Sequence, residues 1–465
     1  MPIRWEKILP YDTLSGLQFF QLFRYGSAFL ISILLPRAGI IPGDIGIFES
    51  FLFFAGVISY FWVTGLIQAL LPLASQQDPS SSRVTRHSSL ITRHSSLLPR
   101  HASREFFNSA VLLFLFSVLA SLALWLGSPA LGKLVGQELP REVVGLVILY
   151  LVLFAPSALV EYGYVLADET KKLVRYGIIA FSLQILMVGI PVIFGLGVKG
   201  AMWGMIAAGG FRTIWLIIML IRNGDFHISL PFWKKYLALG GPIMISVLLS
   251  GSAQYINGFI ISARFDPSTF AIFRYGAREL PIVALLAYAL SNAMVPVIAR
   301  EGTEAGLKIL KERSGRMASW MFPLTVAVVL LAYFLFPLVY GKNFTDSAGV
   351  FNLYLLLITS RLLFPQTILL AKQKTGIQML AALLELILNI GLSLILVEAW
   401  GIRGVALATV IAYYFERIFL MAYTRIALGI PAKQYVEVRQ HLVWTAILIV
   451  AFLFAELVIG PFMLS

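Results

Sequence analysis

Long apolar stretches, separated by short polar segments, recur along the whole chain. Most are about 20 residues long, the length of helix that crosses about 30 Å of hydrocarbon. A β-barrel would instead show short segments in which apolar and polar residues alternate. The pattern therefore predicts an all-α polytopic membrane protein. About thirteen spans are expected, at residues 14–36, 45–72, 106–127, 143–167, 176–197, 201–222, 236–262, 268–299, 317–340, 348–371, 376–398, 404–424 and 441–463.

The composition agrees with a membrane protein. Of the 465 residues, 59% are hydrophobic and 13% are charged, whereas soluble globular proteins carry about 25% charged residues. The chain has 0 cysteines, which excludes disulfides and zinc–thiolate sites. The N-terminal stretch MPIRWEKILPYDT has no small-residue cleavage site, so no removable signal peptide is expected.

Basic residues are concentrated in alternate loops, for example in residues 83–104 and at Lys171 and Lys172. Cytoplasmic loops of membrane proteins carry an excess of Lys and Arg. We therefore expect the N-terminus and these loops in the cytoplasm. The net charge of +13 then reflects membrane topology, and no nucleic-acid partner is expected. The loops on the other side are all short, which argues against an extracytoplasmic domain.

An internal repeat divides most of the chain into two blocks. GVKGA at Gly197–Ala201 and GIRGV at Gly401–Val405 lie 204 residues apart, and Leu166-Ala167 matches Leu370-Ala371 at the same offset. Because each block contains six predicted spans, we expect parallel blocks related by an axis along the membrane normal. The expected organisation is an N-terminal six-helix lobe at 1–222, a cytoplasmic linker at 223–235, a C-terminal six-helix lobe at 236–424, and a linker with one extra span at 425–465.

A series of small residues, Gly200, Gly204 and Ala208, follows the first of these turns. Small residues at this spacing allow two helices to approach closely. We favour packing within the chain over dimerisation.

A basic, low-complexity loop is predicted at 76–104, and residues 83–104 read RVTRHSSLITRHSSLLPRHASR. The histidines His87, His94 and His101 recur every seven residues, which is about 10.5 Å on a helix. One metal needs its ligands within about 2–2.3 Å, so the histidines do not share a metal site. Attraction of the arginines to anionic lipid is one alternative. We interpret the segment as a disordered insertion.

Several charged residues lie within the predicted spans, where an arginine at a helix centre costs about 2.5–3.5 kcal/mol. Four of these charges are interpreted as structural or coupling charges, with Arg212 and Arg361 pairing with Glu385 or Glu161.

Three other arginines are expected near the middle of the membrane. Arg24 and Arg278 each lie about 15 Å from the end of their span, and Arg274 and Arg278 are four residues apart, on one face of a predicted helix. One interpretation is ion pairing with Glu49 and Glu279. The other is a positive cavity for a phosphate-bearing ligand, because guanidinium groups bind phosphate bidentately.

The chain contains no GxxxxGK[ST], GxSxG or HExxH motif, which argues against ATP binding at a P-loop and against these types of catalysis. No enzymatic activity, cofactor or metal is expected.

Residues 19–72, which contain FRYGSAFLISILLPRAG, and residues 251–300, which contain FAIFRYGARELP, resemble the polysaccharide (O-antigen-type) flippase family of the multidrug/oligosaccharidyl-lipid/polysaccharide exporter superfamily. The resemblance implies two six-helix lobes around a central cavity that opens alternately to either side of the bacterial inner (cytoplasmic) membrane. It implies a polyprenyl-diphosphate-linked oligosaccharide as substrate, with membrane lipids and polysaccharide-assembly proteins as further partners. Spans one, two, seven and eight would face the cavity, and the residues implied in substrate binding are Arg24, Glu49, Asn257, Arg274, Arg278 and Glu279.

The loop at 76–104 has no counterpart in this resemblance, and relatives commonly have twelve or fourteen spans. Two other functions remain open. A cation-coupled multidrug exporter of the same superfamily would be expected to have a cavity dominated by acids. A polysaccharide polymerase or ligase would be expected to have a large external loop with catalytic residues.

Overall fold

The computed structural model describes residues 13–75, 100–135, 141–223, 225–300 and 303–464. Most of the predicted repeat at 83–104, including His87 and His94, lies outside the described residues. The chain forms two compact units, Met1–Ser252 and Ala253–Ser465. Helices account for nearly all the regular structure of the described residues.

The first unit contains eight helices within its described residues. They are α1 (Thr13–Arg37), α2 (Pro42–Ser75), α3 (Arg100–Val135), α4 (Arg141–Ser157), α5 (Leu159–Leu166), α6 (Thr170–Ile193), α7 (Gly197–Asn223) and α8 (Leu230–Gly251). Helix α2 packs on α8, α1 packs on α6, and α6 packs on α7. The α1–α6 contact is close because the ring of Phe20 stacks on Tyr176, with centroids 6.0 Å apart.

The second unit contains ten α-helices within its described residues. They are α9 (Ala253–Arg264), α10 (Pro267–Gly276), α11 (Pro281–Arg300), α12 (Thr303–Tyr340), α13 (Ser347–Leu355), α14 (Ile358–Arg361), α15 (Pro365–Ala371), α16 (Thr375–Ala427), α17 (Val438–Phe454) and α18 (Gly460–Leu464). A π-helical turn, Ala455–Ile459, connects α17 to α18. Helix α12 packs on both α11 and α17, which brings the C-terminal segment into the core of this unit.

Among the described residues, 11 helices are long and apolar enough to cross a membrane, or 12 if the bent pair Ser347–Arg361 and Pro365–Ala371 is one span. Helix α16 has 53 residues, about 80 Å if straight, so it exceeds twice the hydrocarbon thickness. It is interrupted by non-helical backbone at Trp400 and Gly401. This break falls between the predicted spans 376–398 and 404–424, and it accounts for the larger number of spans predicted from the sequence.

The backbone repeats the features that the sequence repeat predicts. Gly197 and Gly401 have φ angles of 59° and 56°, and each stands at the start of a matching turn. Asp168 and Gln373, in the preceding turns, have φ angles of 52° and 57°. Positive φ is uncommon for residues other than glycine, so its recurrence at corresponding turns indicates two related halves. Superposition of the predicted lobes stays a prediction.

The unit boundary at Ser252 falls within the predicted seventh span, 236–262. Helix α8 packs on α2 and so belongs to the first compact unit. The tyrosine Tyr236 strengthens this contact, since its hydroxyl donates to the Leu66 carbonyl at 2.7 Å. The predicted lobes, 1–222 and 236–424, differ from the compact units by this helix.

The predicted small-residue packing lies within the chain. A Cβ added at Gly204 would be 2.2 Å from the carbonyl oxygen of Met187 on α6. Such a distance is shorter than any real contact of a Cβ atom, so the helix backbones touch at this position. A Cβ added at Gly404 would in the same way be 2.0 Å from the Leu396 carbonyl oxygen.

Candidate functional site

The predicted eighth span is broken between α10 and α11, next to the two candidate arginines of the second unit. Ala277 has φ −75° and ψ 57°, an inverse γ-turn, and the Arg278 amide donates to the Gly276 carbonyl at 2.7 Å. Pro281 begins α11, and a proline disfavours helical conformation in the residue before it. The prediction that Arg274 and Arg278 share one helix face is therefore wrong.

Arg274 lies in the last turn of α10, whereas Arg278 lies in the break. The Arg278 guanidinium carbon is 5.1 Å from the centroid of the Tyr275 ring. Its Nε donates to the Arg274 carbonyl at 3.3 Å. Two cationic side chains thus lie at or next to the break, although they are not aligned along a helix.

Glu279, in the same break, forms a bidentate ion pair with Arg361. Arg361 Nη2 is 2.6 Å from Oε1, and Arg361 Nε is 2.9 Å from Oε2. Arg361 is the last residue of α14, before a second helix break, and its guanidinium lies 4.7 Å from the Tyr413 ring centroid. The predicted pairing of Arg361 with Glu385 or Glu161 is wrong, because two broken helices bring Arg361 to Glu279 instead.

A small cavity of about 10 Å³, enough for about one water molecule, adjoins this ion pair. Its lining combines Glu279, Tyr354 and Thr325 with apolar side chains. Small-molecule sites usually have volumes of about 300–1,000 Å³. This cavity is therefore too small to enclose an oligosaccharide.

Asn257 connects three helices of the second unit. Its Nδ2 donates to Thr409 Oγ1 at 2.7 Å and to the Tyr354 hydroxyl at 3.4 Å. The residue is buried. These contacts favour a role in helix packing, and contact of Asn257 with a substrate stays a prediction.

Helix α16 carries the buried acid Glu385, with Asn389 and Ser393 on the same face one and two turns later. Ser393 Oγ donates to Asn389 Oδ1 at 3.0 Å. On the same helix, Arg417 is buried and donates to Gln366 Oε1. Helix α16 thus carries buried polar groups on both sides of its break at Trp400 and Gly401.

In the first unit, Arg24 of α1 lies next to Glu161 of α5. Arg24 Nη1 is 3.6 Å from Glu161 Oε1, and the Arg24 side chain is 41% exposed, whereas the Glu161 side chain is 4% exposed. The alternative interpretation, in which Arg24 pairs with Glu49, stays a prediction. Glu49 is buried in α2, and its contact with a substrate stays a prediction.

Arg212 of α7 is held by aromatic residues. Its Nε donates to the Tyr176 hydroxyl at 3.1 Å, and its guanidinium carbon lies 4.6 Å from the Phe154 ring centroid and 5.6 Å from that of Phe181. The predicted ion pair with Glu385 or Glu161 is therefore wrong for Arg212. The sequence pattern did not indicate Tyr176, which lies among three other aromatic side chains, Phe20, Tyr164 and Trp215.

The six predicted substrate residues are distributed over both units, with Arg24 and Glu49 in the first and the other four in the second. Their convergence on one cavity stays a prediction. No group of three or more acids or histidines suited to a metal ion occurs in the part of the chain that the structure describes.

Comparison with known families gives one match that covers more than half of the chain. The family model described as "Polysaccharide biosynthesis protein" matches residues 88–349. No curated protein matches the chain in sequence.

Several solved transporter structures are similar in fold. Lipid II flippase MurJ, in an inward closed conformation, aligns with a TM-score of 0.65 at 15% identity, covering 96% of this chain and 99% of MurJ. An inward-facing multidrug resistance MATE family transporter of the MOP superfamily aligns with a TM-score of 0.60 at 14% identity. The alignment covers 90% of this chain and 98% of the transporter. A MOP superfamily transporter from Pyrococcus furiosus, described by the reverse polarity of its binding pocket, aligns with a TM-score of 0.50 at 15% identity. The alignment covers 89% of this chain and 94% of that transporter.

At these identities the likenesses show the fold alone. They confirm the predicted fold class, an all-α polytopic membrane protein with the architecture of this transporter group.

Proposed function

The chain belongs to the family described as "Polysaccharide biosynthesis protein", and we propose that it flips a polyprenyl-diphosphate-linked oligosaccharide across the membrane for surface-polysaccharide assembly. The likeness in fold to a protein named as a lipid II flippase supports this proposal. Transport runs from the inner to the outer leaflet of the bacterial inner (cytoplasmic) membrane, with the N-terminus in the cytoplasm. The protein moves its substrate without catalysing a reaction.

The observation that carries the proposal is the exposure of Arg24. This residue lies about 16 Å along α1 from Thr13, and 41% of its side chain is exposed. An arginine in hydrocarbon costs about 2.5–3.5 kcal/mol, so an exposed guanidinium at this depth requires water or an anionic partner. A diphosphate is a suitable partner, because guanidinium groups bind its oxygens bidentately.

Arg274 and Arg278 provide the corresponding positive charges in the second unit. Both lie at a helix break, where backbone groups are not used by the helix. In our proposal the diphosphate contacts Arg24, Arg274 and Arg278 in a water-filled cavity that opens alternately to each side. The oligosaccharide occupies the wet cavity, and the polyprenyl chain stays in the bilayer.

A cation-coupled multidrug exporter is the second candidate, and the likeness in fold to a MATE family transporter favours it. Such an exporter needs acids that are available to cations. Glu279 is committed to Arg361 at 2.6 Å, and Glu161 lies 3.6 Å from Arg24. The acids next to the candidate arginines are therefore already close to cations, which favours an anionic substrate. A polymerase or ligase is less compatible with the short predicted external loops.

Ligand binding distinguishes these functions. We expect purified protein in detergent to bind a farnesyl-diphosphate-linked saccharide more tightly than the neutral farnesol-linked saccharide. Arg24→Ala and Arg274→Ala should raise the Kd at least about tenfold, or about 1.4 kcal/mol, and lysine at either position should restore part of the affinity because it lacks the bidentate fork.

Arg222→Ala is the control, since Arg222 is an exposed arginine in the last turn of α7. Equal affinity for the charged and neutral ligands would contradict the proposal. Displacement of a bound cationic dye by drugs, without displacement by the diphosphate, would favour the exporter.

A further inference from the structure

Among the described residues of the first unit, none forms a close ion pair with the Glu161 carboxylate. Its distance to Arg24, 3.6 Å, exceeds the about 2.7–2.9 Å of a charge-assisted hydrogen bond. Its second oxygen, Oε2, is buried and has no hydrogen-bond partner among the described residues. Because Glu161 is 3% exposed, competition from solvent does not explain this incomplete pairing.

Arg212 has a complementary unsatisfied group. Its Nη1 is buried and has no hydrogen-bond partner within the described ranges. The Tyr176 hydroxyl and the Phe154 ring stabilise only part of the guanidinium, because a ring face and a neutral oxygen compensate a buried cation less than a carboxylate does. Arg212 therefore retains the capacity to bind one more acceptor.

Both arginines act electrostatically on Glu161, and Arg24 has the larger effect. One cation is partly exposed and the other is buried, so an external anion has access to Arg24 but not to Arg212. Glu161 lies in the first turn of α5, directly after the helix break at Ala158. Both arginines are near enough to act on the Glu161 carboxylate, which makes Arg212 its alternative partner.

We propose that Glu161 is a displaceable internal anion that controls access of the substrate diphosphate to Arg24. Without substrate, Glu161 neutralises Arg24. A diphosphate carries more charge and binds a guanidinium bidentately, so it displaces the carboxylate. Glu161 then pairs with Arg212, which satisfies both Oε2 and Nη1.

Release follows the reverse order. Glu161 returns to Arg24 and competes with the diphosphate, so the ligand does not remain bound to the arginine. The inference rests on the proposed function, because the diphosphate-bearing lipid is the displacing anion. It assigns Glu161 as a positioning residue that sets the balance between binding and release.

This role predicts opposite effects on affinity and on transport. Glu161→Gln keeps the shape of the side chain and removes the competing charge. We expect the Kd for farnesyl diphosphate to fall at least about fivefold, or about 1 kcal/mol, while the rate of flipping in proteoliposomes falls by a similar or larger factor because release is slowed. A residue that only supports the fold would lower binding and transport together.

Arg212→Gln removes the alternative partner of Glu161. The carboxylate then stays at Arg24, so the Kd for farnesyl diphosphate should rise at least about fivefold, and Arg212→Lys should restore part of the affinity. Glu142→Gln is the matched control, because it neutralises an exposed glutamate that pairs with Lys199 at 2.9 Å. The Kd for farnesyl diphosphate and the flipping rate of Glu142→Gln should equal those of the wild type.

An unchanged or raised Kd in Glu161→Gln would overturn the inference, and so would an unchanged flipping rate. If Glu161→Gln does not fold, Arg212→Gln provides the test. An unchanged Kd in Arg212→Gln would also overturn the inference. Failure of the wild-type protein to bind farnesyl diphosphate would be a different result, and it would overturn the proposed function together with this inference.

Discussion

At the scale of single residues, the arginines within the helices are stabilised in three different ways. Arg361 has a bidentate carboxylate, Arg212 has a tyrosine hydroxyl and two rings, and Arg24 has a distant carboxylate and solvent exposure. A cation in a low-dielectric region needs such compensation. The residue with the least complete compensation, Arg24, is the one with the most capacity to bind an anion.

The ion pair between Glu279 and Arg361 should behave as a unit. Arg361→Gln leaves the Glu279 carboxylate without its bidentate partner, so we expect it to lower the free energy of unfolding by about 1–3 kcal/mol. The double variant Arg361→Gln and Glu279→Gln removes both charges, and it should lose less stability than Arg361→Gln alone. Thermal unfolding in detergent measures the stability of the single and the double variant. A larger loss of stability in the double variant than in Arg361→Gln alone would show that the two side chains do not stabilise each other.

Little of this residue-level pairing could be predicted from the sequence. Arg361 and Glu279 are separated by 82 residues, and their contact depends on two helix breaks that meet. A proline such as Pro281 is compatible with a bend in a helix, but the inverse γ-turn at Ala277 depends on local backbone geometry that no residue pattern specified. The role of Tyr176 was missed because a buried tyrosine resembles an ordinary core residue in sequence.

At the scale of helices, close backbone contact fixes how α6 and α7 pack. Gly204→Ala would place a methyl group 2.2 Å from the Met187 carbonyl oxygen, so we expect a loss of about 1–3 kcal/mol in the free energy of unfolding. Gly210→Ala is the control on the same helix, because its added Cβ would be 3.9 Å from its nearest neighbour. Alanine favours a helix over glycine, so the control should be neutral or slightly stabilising. Equal unfolding midpoints for the two variants would contradict this packing.

One carboxylate of the C-terminal segment contacts three helices of the second unit. The π-helical turn Ala455–Ile459 carries Glu456, which accepts from Tyr333 Oη at 2.8 Å, Asn352 Nδ2 at 3.0 Å and Arg403 Nη1 at 3.1 Å. These donors come from three different helices. The extra span predicted at 425–465 is therefore an integral part of the unit's core, which its length and apolarity alone did not indicate.

Glu456→Gln should lower the stability of the protein by about 1–3 kcal/mol, because charge-assisted hydrogen bonds are lost in a largely buried cluster. At the corresponding turn of the first unit, Lys199 pairs with Glu142 at the surface, with side chains 67% and 62% exposed. Exposed pairs contribute about 0–1 kcal/mol, so Glu142→Gln should change the unfolding midpoint much less. A similar shift for both variants would contradict the role assigned to Glu456.

At the scale of the whole molecule, the all-α polytopic architecture and the internal repeat were predictable from the sequence, because both follow from the length, apolarity and glycine content of long segments. The number of spans was not, since the structure has 11 or 12 membrane-length helices among its described residues and α16 continues through the break at Trp400 and Gly401. The matching φ angles at Gly197 and Gly401 agree with the repeat. The assignment of α8 to the first compact unit was not predictable, since it depends on packing against α2.

The basic segment should be dispensable for transport if it is an inserted loop. Replacing residues 83–103 by a short Gly/Ser/Lys linker retains positive charge on the cytoplasmic side, which is sufficient for topology. We expect the unfolding midpoint and the flipping rate to remain close to those of the unmodified protein. A variant that inserts normally but no longer flips its substrate would show that the segment has a specific task.

A flipping assay in proteoliposomes decides whether the protein moves a lipid-linked saccharide and whether charge recognition underlies the movement. The substrate is a fluorescent polyprenyl-diphosphate-linked oligosaccharide, and a membrane-impermeant reagent reports the fraction in the outer leaflet. We expect the wild-type protein to flip this lipid, Arg274→Ala to be inactive although folded, Arg274→Lys to be partly active, and Arg222→Ala to match the wild type. Flipping at the wild-type rate by Arg24→Ala and Arg274→Ala, or no flipping by the wild-type protein, would contradict the proposed function.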